Sequence, residues 1–183
     1  MKQINKDNVK HLTPAWNLSF GVLEGQDSQA VVVNGTVYVT TSFNRVIAAD
    51  GRTGKILWKY ERELPGDVFP KLCCDVVNRG VAVYGKWLYF ETPDCHLVSL
   101  NMKDGKERWH KQMADVKRDY FSSVSPLVIG NHVITGVGGD FLDVPMRRNM
   151  RPCCAFGSQL HVRLGPVPIP FVFVGNMTDR RSL

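Results

Sequence analysis

Between Val31 and Thr135 the chain is written as short segments that alternate apolar and polar residues, or run apolar for four to six positions, broken by turn residues. Half-buried and buried β-strands have that pattern. The pattern repeats. Val33-Asn34-Gly35-Thr36-Val37-Tyr38-Val39, then Val46-Ile47-Ala48-Ala49-Asp50, then Thr53-Gly54-Lys55-Ile56-Leu57-Trp58 form one copy. Val83-Tyr84-Gly85-Lys86-Trp87-Leu88-Tyr89-Phe90, then Leu97-Val98-Ser99-Leu100-Asn101, then Asp104-Gly105-Lys106-Glu107-Arg108-Trp109 form a second. Tyr38 and Tyr89, Asp50 and Asn101, Gly54 and Gly105, and Trp58 and Trp109 are each 51 residues apart. A third copy begins at Val128-Ile129-Gly130-Asn131-His132-Val133-Ile134-Thr135 and does not reach its own Gly-Lys-x-x-Trp.

Each copy reads as an antiparallel meander. Asn34-Gly35 is a strong hairpin signal, because both central turn positions tolerate positive φ. Thr53-Gly54 and Asp104-Gly105 supply the next turn. The tryptophan that follows is expected to stack between neighbouring sheets and lock them together, burying roughly 150–250 Å². Repeats of about 50 residues with several short strands are propeller blades, and a propeller closes with roughly four to eight of them. The fold class expected is therefore all-β: residues 1–145 as part of a β-propeller, about two and a half blades, incomplete by themselves. Ahead of the first copy, Asn5 to Leu12 reads as a short helical turn with Asn5 as N-cap and Pro14 as its stop.

Composition adds limits. The 183 residues are 44% hydrophobic and 22% charged, which are globular values. No apolar run is long enough for a membrane helix, and the first residues lack the apolar stretch of a signal peptide. The net charge of +6 is uneven: residues 1–145 hold 17 Lys+Arg against 16 Asp+Glu, whereas residues 146–183 hold six Arg and one acid, Asp179. A nearly neutral body without a basic helix argues against a nucleic-acid partner. The 146–183 segment, basic and carrying Pro166, Pro168 and Pro170 at alternate positions, suits neither a helix interior nor a central strand. It reads either as an extension that meets an anionic partner or as a stretch never selected to fold, as in a shifted reading frame.

The chemistry concentrates in Leu72-Cys73-Cys74-Asp75-Val76-Val77-Asn78-Arg79-Gly80. Adjacent cysteines sit about 3.8 Å apart at Cα, closer than ordinary disulfides prefer, so a bond between them is strained. The alternative is two reduced, buried thiols. Arg79 offers a rigid fork of donors for carboxylates or quinone oxygens, or else pairs with Asp75 or a backbone carbonyl. Asp27 lies in the polar loop Glu24-Gly25-Gln26-Asp27-Ser28-Gln29, where a turn-forming Asp is the plain reading. Cys95 reads as a small core residue. The five histidines show no metal-ligand spacing. A second adjacent pair, Cys153-Cys154, lies in the atypical tail.

Taken together, Ile4-Asn5-x-x-Asn8-Val9-x-x-Leu12-x-Pro14-Ala15-Trp16, the Gly25-Gln26-Asp27-Ser28-Gln29 loop, the Gly-Lys-x-x-Trp endings and above all Cys-Cys-Asp-Val-Val-Asn-Arg-Gly resemble the quinoprotein alcohol dehydrogenases. These are periplasmic enzymes that use pyrroloquinoline quinone (PQQ). The resemblance runs from about Gln3 to Pro145. It implies an eight-bladed propeller with PQQ near its axis, oxidation of a primary alcohol, a calcium or lanthanide ion beside the quinone, and electrons passed to a cytochrome c. It implies a Cys73–Cys74 disulfide over one face of PQQ, Arg79 on the quinone oxygens, and Asp27 where the family has a longer glutamate. Ser123 matches a hydroxyl residue that binds a PQQ carboxylate, and Gly138 and Gly139 fall on a loop approaching the cofactor. The family's metal-binding glutamate aligns with Phe141, leaving Asp140 and Asp143 as candidates with a shift of register. The family's catalytic aspartate has no counterpart, so the chain alone is expected to be inactive. A non-catalytic propeller that binds protein partners is the alternative.

Overall fold

A computed structural model describes residues 4–118, 120–139 and 158–163. Three antiparallel sheets follow one another along the chain. The first is β1 (Val31–Val33), β2 (Thr36–Thr41), β3 (Arg45–Asp50) and β4 (Ile56–Glu61), hydrogen-bonded in that order. A short strand, β5 (Cys73–Val76), leads to the second sheet: β6 (Ala82–Tyr84), β7 (Trp87–Thr92), β8 (His96–Asn101) and β9 (Glu107–Gln112). The third contains β10 (Tyr120–Phe121), β11 (Leu127–Ile129) and β12 (His132–Gly139), with β13 (Ser158–Arg163) on β12. β13 lies inside the atypical 146–183 segment, and the rest of that segment is outside the described residues. The all-β class and the partial blades are as the repeat implies. Among the described residues no helix is long and apolar enough to cross a membrane.

The two full copies repeat down to single hydrogen bonds. Asn34 and Gly35 take φ of 49° and 77°, the pair of positive values that joins strands across a two-residue hairpin. Asp50 and Asn101 start equivalent turns: the Gly54 amide donates to the Asp50 carbonyl at 2.8 Å and the Gly105 amide to the Asn101 carbonyl at 2.9 Å. The side chains help, with Asp50 Oδ1 accepting from the Thr53 amide and Asn101 Oδ1 from the Lys103 amide. Both sheets also carry the same bulge, between Ala48 and Ala49 and between Ser99 and Leu100. The short helical turn expected from Asn5 to Leu12 is present, with Asn5 capping it as the sequence suggests. A 3-10 turn spans Val9–His11, and ahead of it the Asn5 side chain accepts from the Asp7 and Asn8 amides.

Face-to-face packing explains the composition of the middle sheet. On β7, Leu88 and Phe90 turn toward the first sheet, into a cluster with Tyr38, Val46, Ala48 and Val98. Tyr89 turns the other way, to Cys95, Leu97, Val133 and Val137. Sandwiched between neighbours, β7 is buried from Leu88 to Thr92, so its text runs apolar instead of alternating. Cys95 is a fully buried core thiol, as expected, and burial pushes its pKa up.

The tryptophans stack as the repeat suggests, and one more joins them. Trp58 lies on Gly105, where a Cβ would fall 2.5 Å from the indole, and its N–H donates to the Met102 carbonyl at 3.0 Å. Trp16 makes the same contact on Gly54 and donates to the Gly51 carbonyl at 3.0 Å. Each indole therefore clips its own segment to the turn of the next sheet.

Candidate functional site

The site forms on the segments that lead into β1, β6 and β11. Asp27 stands four residues before β1, Asn78 four before β6 and Ser123 four before β11. These entries lie side by side: Gln29 and Gly80 form a parallel bridge, and the Arg79 amide donates to the Ser123 carbonyl at 3.2 Å. Gly80 makes the approach possible. Its φ is +127°, and a Cβ there would lie 3.1 Å from the Gln29 carbonyl oxygen and 3.6 Å from Ser125 Oγ.

Three of the residues singled out in the sequence meet here. The Arg79 guanidinium donates through Nη1 to the Ser123 hydroxyl, and again to the Ser123 carbonyl at 3.4 Å. Its Nη2 stands 3.8 Å from Asp27 Oδ2. Arg79 and Asp27 remain 42% and 53% exposed at the side chain, so the ion pair opens to solvent and to ligands. The pairing of Arg79 with Asp75 does not occur. Asp75 instead accepts from the Val76 amide at 2.8 Å and takes a φ of 66°, a left-handed backbone on a residue with a Cβ. That conformation directly follows Cys73–Cys74, at the head of β5. The pairing of their sulfurs lies outside the described side chains.

A layer of polar groups, most of them buried, holds the loops. Ser42 Oγ donates to the Gly25 carbonyl at 2.6 Å, and Gln26 Nε2 donates to Ser42 Oγ at 2.9 Å. Ser28 Oγ accepts from the Thr40 amide at 3.0 Å and lies 2.8 Å from Thr40 Oγ1, to which its hydroxyl can donate. Ser122 Oγ donates to the Gly136 carbonyl at 3.0 Å. Glu91, fully buried on the β7 face that looks at the third sheet, turns its carboxyl toward the Gly136 amide without closing a hydrogen bond. Burial raises its pKa well above the ordinary carboxyl value, so the group is held toward its neutral form, with the Gly136 amide opposing weakly. Gln26 and Ser28 lie in the loop the sequence marks, whereas Thr40, Ser42 and Glu91 do not stand out in it. Spacing finds part of the site: Asp27 and Asn78 stand 51 residues apart, four before the first strands of their sheets, whereas Ser123 follows β10 and lies 45 residues after Asn78, off the repeat.

Gly138 and Gly139 pair with Phe121 and Tyr120 across β10 and β12, on the segment leading into Ser122–Ser123. At Gly138 a Cβ would sit 3.0 Å from Phe121 Cζ, so that glycine makes room for an aromatic ring of the same sheet. Asp140, Phe141 and Asp143 lie outside the described residues. Among the described residues no three His, Cys, Asp or Glu side chains are grouped to hold a metal ion.

Comparisons with known proteins agree on this part of the chain. Residues 1–138 match the model of the PQQ-type glucose/ethanol/alcohol dehydrogenase β-propeller domain, and residues 141–183 match a family described as a protein of unknown function. The quinoprotein alcohol dehydrogenase PedH of Pseudomonas putida is 48% identical over 141 residues, 75% of this chain and 23% of that protein. A quinoprotein ethanol dehydrogenase of Pseudomonas aeruginosa is 48% identical over 131 residues, 70% of this chain and 21% of that protein. The solved structure of a europium-containing methanol dehydrogenase superposes with a TM-score of 0.77 at 31% identity, covering 90% of this chain and 27% of that one. The chain thus spans between a fifth and a quarter of the length of the curated relatives it matches.

Proposed function

Since the chain belongs to the glucose/ethanol/alcohol dehydrogenase β-propeller family, we propose that it forms part of the PQQ site of a dehydrogenase that oxidises primary alcohols. The observation that carries this reading is the meeting of Arg79, Asp27 and Ser123 from three separate loops. A guanidinium has five N–H donors in a fixed fork. Ser123 engages Nη1, while Nη2 sits at ion-pair distance from Asp27, beyond hydrogen-bond length. The exposed side of the fork thereby offers donors to a planar, multiply anionic ligand such as a carboxylated quinone. When bound, PQQ supplies the hydride-accepting centre. Arg79 orients the ligand's oxygens and favours negative charge on them, Asp27 limits how far the guanidinium swings, and Ser123 fixes its near edge. The remaining parts of the reading are the Cys73–Cys74 disulfide over the ring, a calcium or lanthanide ion at Asp140 or Asp143, a cytochrome c acceptor and a periplasmic home.

Titration of PQQ into the purified chain, followed by quenching of tryptophan emission, tests the site. Arg79→Lys keeps the charge and loses the fork. It is expected to weaken PQQ binding about tenfold or more, the scale of a lost charge-assisted hydrogen bond. Equal affinity for PQQ in the parent and in Arg79→Lys, with both folded by circular dichroism, overturns the assignment.

A further inference from the structure

Asn78 occupies the same entry position as Asp27 and Ser123, yet its side chain is buried, at 2% exposure. Its Oδ1 accepts from the Gly80 amide at 3.0 Å, two residues on, which closes a side-chain turn with Arg79 at its centre. Its Nδ2 donates to the Glu91 carbonyl at 2.7 Å, reaching the most deeply buried strand of the second sheet. Its own carbonyl accepts from Thr40 Oγ1 on β2 at 3.2 Å. Arg79 itself is held at both ends, its amide on the Ser123 carbonyl and its carbonyl on the Gln29 amide at 3.4 Å. One amide side chain thus defines the turn that carries the guanidinium and ties that turn to β7. Only a short side chain with both a donor and an acceptor can do both. Ser can close the turn without reaching β7, and Asp can close it but has no hydrogen to donate.

We propose that Asn78 is a positioning residue for Arg79, setting the guanidinium against Ser123 and Asp27 through its link to the Glu91 carbonyl. This rests on the PQQ reading for its consequence, but not for its geometry.

The test joins two readouts on the whole 183-residue chain. Asn78→Ser is expected to move the Arg79 Nε–Hε resonance and speed its exchange with water. The Arg45 resonance, bonded to Glu61 Oε1 at 2.9 Å on the first sheet, should stay in place. Affinity for PQQ should fall about tenfold in Asn78→Ser, the order expected when a hydrogen bond that holds a charged group is lost. In the Arg79→Ala background the same substitution should cost nothing further, because its effect passes through Arg79. A general structural role would weaken binding equally in both backgrounds and would shift Arg45 as well, and either result overturns the proposal. Asn78→Asp, with a buried charge, should give the same pattern more strongly. If it fails to fold, the neutral Ser variant decides alone. If PQQ binds none of the variants nor the parent, the PQQ reading fails, and the Arg79 resonance still decides the positioning: unmoved in Asn78→Ser, it overturns it.

Discussion

Gly105→Ala and Gly35→Ala make a matched pair that isolates the sheet-to-sheet clip. Both glycines have positive φ, +69° and +77°. Forcing an L-residue into that region costs about 1–2 kcal/mol, and the loss of chain freedom in the unfolded state is common to both substitutions. Their surroundings differ. Around a Cβ at Gly35 there is nothing within 4 Å, whereas at Gly105 it would lie 2.5 Å from Trp58 Cε3 and 2.7 Å from Cδ2. These are rigid ring atoms held by the indole N–H bond to the Met102 carbonyl, so the ring must lift off the turn. Overpacking of that kind costs about 1–3 kcal/mol. Gly35→Ala should therefore lose about 1–2 kcal/mol and Gly105→Ala about 2–5 kcal/mol. In a chain of this size the gap corresponds to roughly 2–12 °C in midpoint. Thermal or urea unfolding followed by far-ultraviolet circular dichroism measures it, and Trp58 emission should shift red only in Gly105→Ala. Gly54→Ala should behave like Gly105→Ala, because Trp16 lies at 2.7 Å from that Cβ. Equal losses at Gly35 and Gly105 would refute the idea that the indole–glycine contact joins the sheets.

Two further outcomes concern buried carboxyls and carry opposite signs. Glu91 has a raised pKa in the fold, so the native chain keeps a proton that the unfolded chain releases above 4.5. Stability should then fall as pH rises from that value toward the folded one, by up to about 1.4 kcal/mol per pH unit, and Glu91→Gln should flatten this slope between pH 5 and 8; an unchanged slope in urea midpoints counts against it. Burial raises the pKa of Asp94, but hydrogen bonds from His96 and Thr92, with the nearby His96 and Arg62 charges, outweigh it and leave the carboxyl below its ordinary value of 3.8. Its contribution is present above that pH and is lost as pH falls through the folded value, so Asp94→Asn should be less stable than the parent at pH 6 and converge with it in acid; a gap that persists at low pH refutes the ion-pair account.

Much of the scaffold could be read from the residues, because its signals are local. Asn34-Gly35, Thr53-Gly54 and Asp104-Gly105 fall at turns with positive φ, and the 51-residue spacing gave two sheets of identical order. Trp16 escaped the repeat because it precedes the first copy, although it makes the same contact as Trp58. Asn5 was legible as a cap because its signal is local too: its side chain accepts from the Asp7 and Asn8 amides. At the site, Arg79, Asp27 and Ser123 were marked by family likeness, and composition alone favoured a bland reading for Asp27. The supporting residues were not legible. Asn78 and Glu91 act through partners on other sheets, and what buries Glu91 is the stacking of the third sheet on β7, which no single segment encodes. At Gly138 the structure adds a contact that no sequence signal marks, with the Phe121 ring across β10 and β12.

The repeat and the site are then one device. The loops that lead into β1, β6 and β11 come to the same end, so positions 27, 78 and 123, far apart in the chain, become neighbours. Side chains there can change without altering a strand. At 27 and 123 they meet the Arg79 guanidinium, whereas at 78 the amide turns inward and the next residue, Arg79, supplies that group. The distance between Arg79 and Asp27 is consequently set by how the first sheet sits on the second. That seating depends on Trp58 on Gly105 and on Tyr38, whose hydroxyl donates to the Met102 carbonyl at 3.1 Å. A change that lifts Trp58 should thus loosen the Arg79–Asp27 pair without touching either residue. In Gly105→Ala the Arg79 Nε resonance should move, whereas in Gly35→Ala, whose added methyl meets no neighbour, it should not.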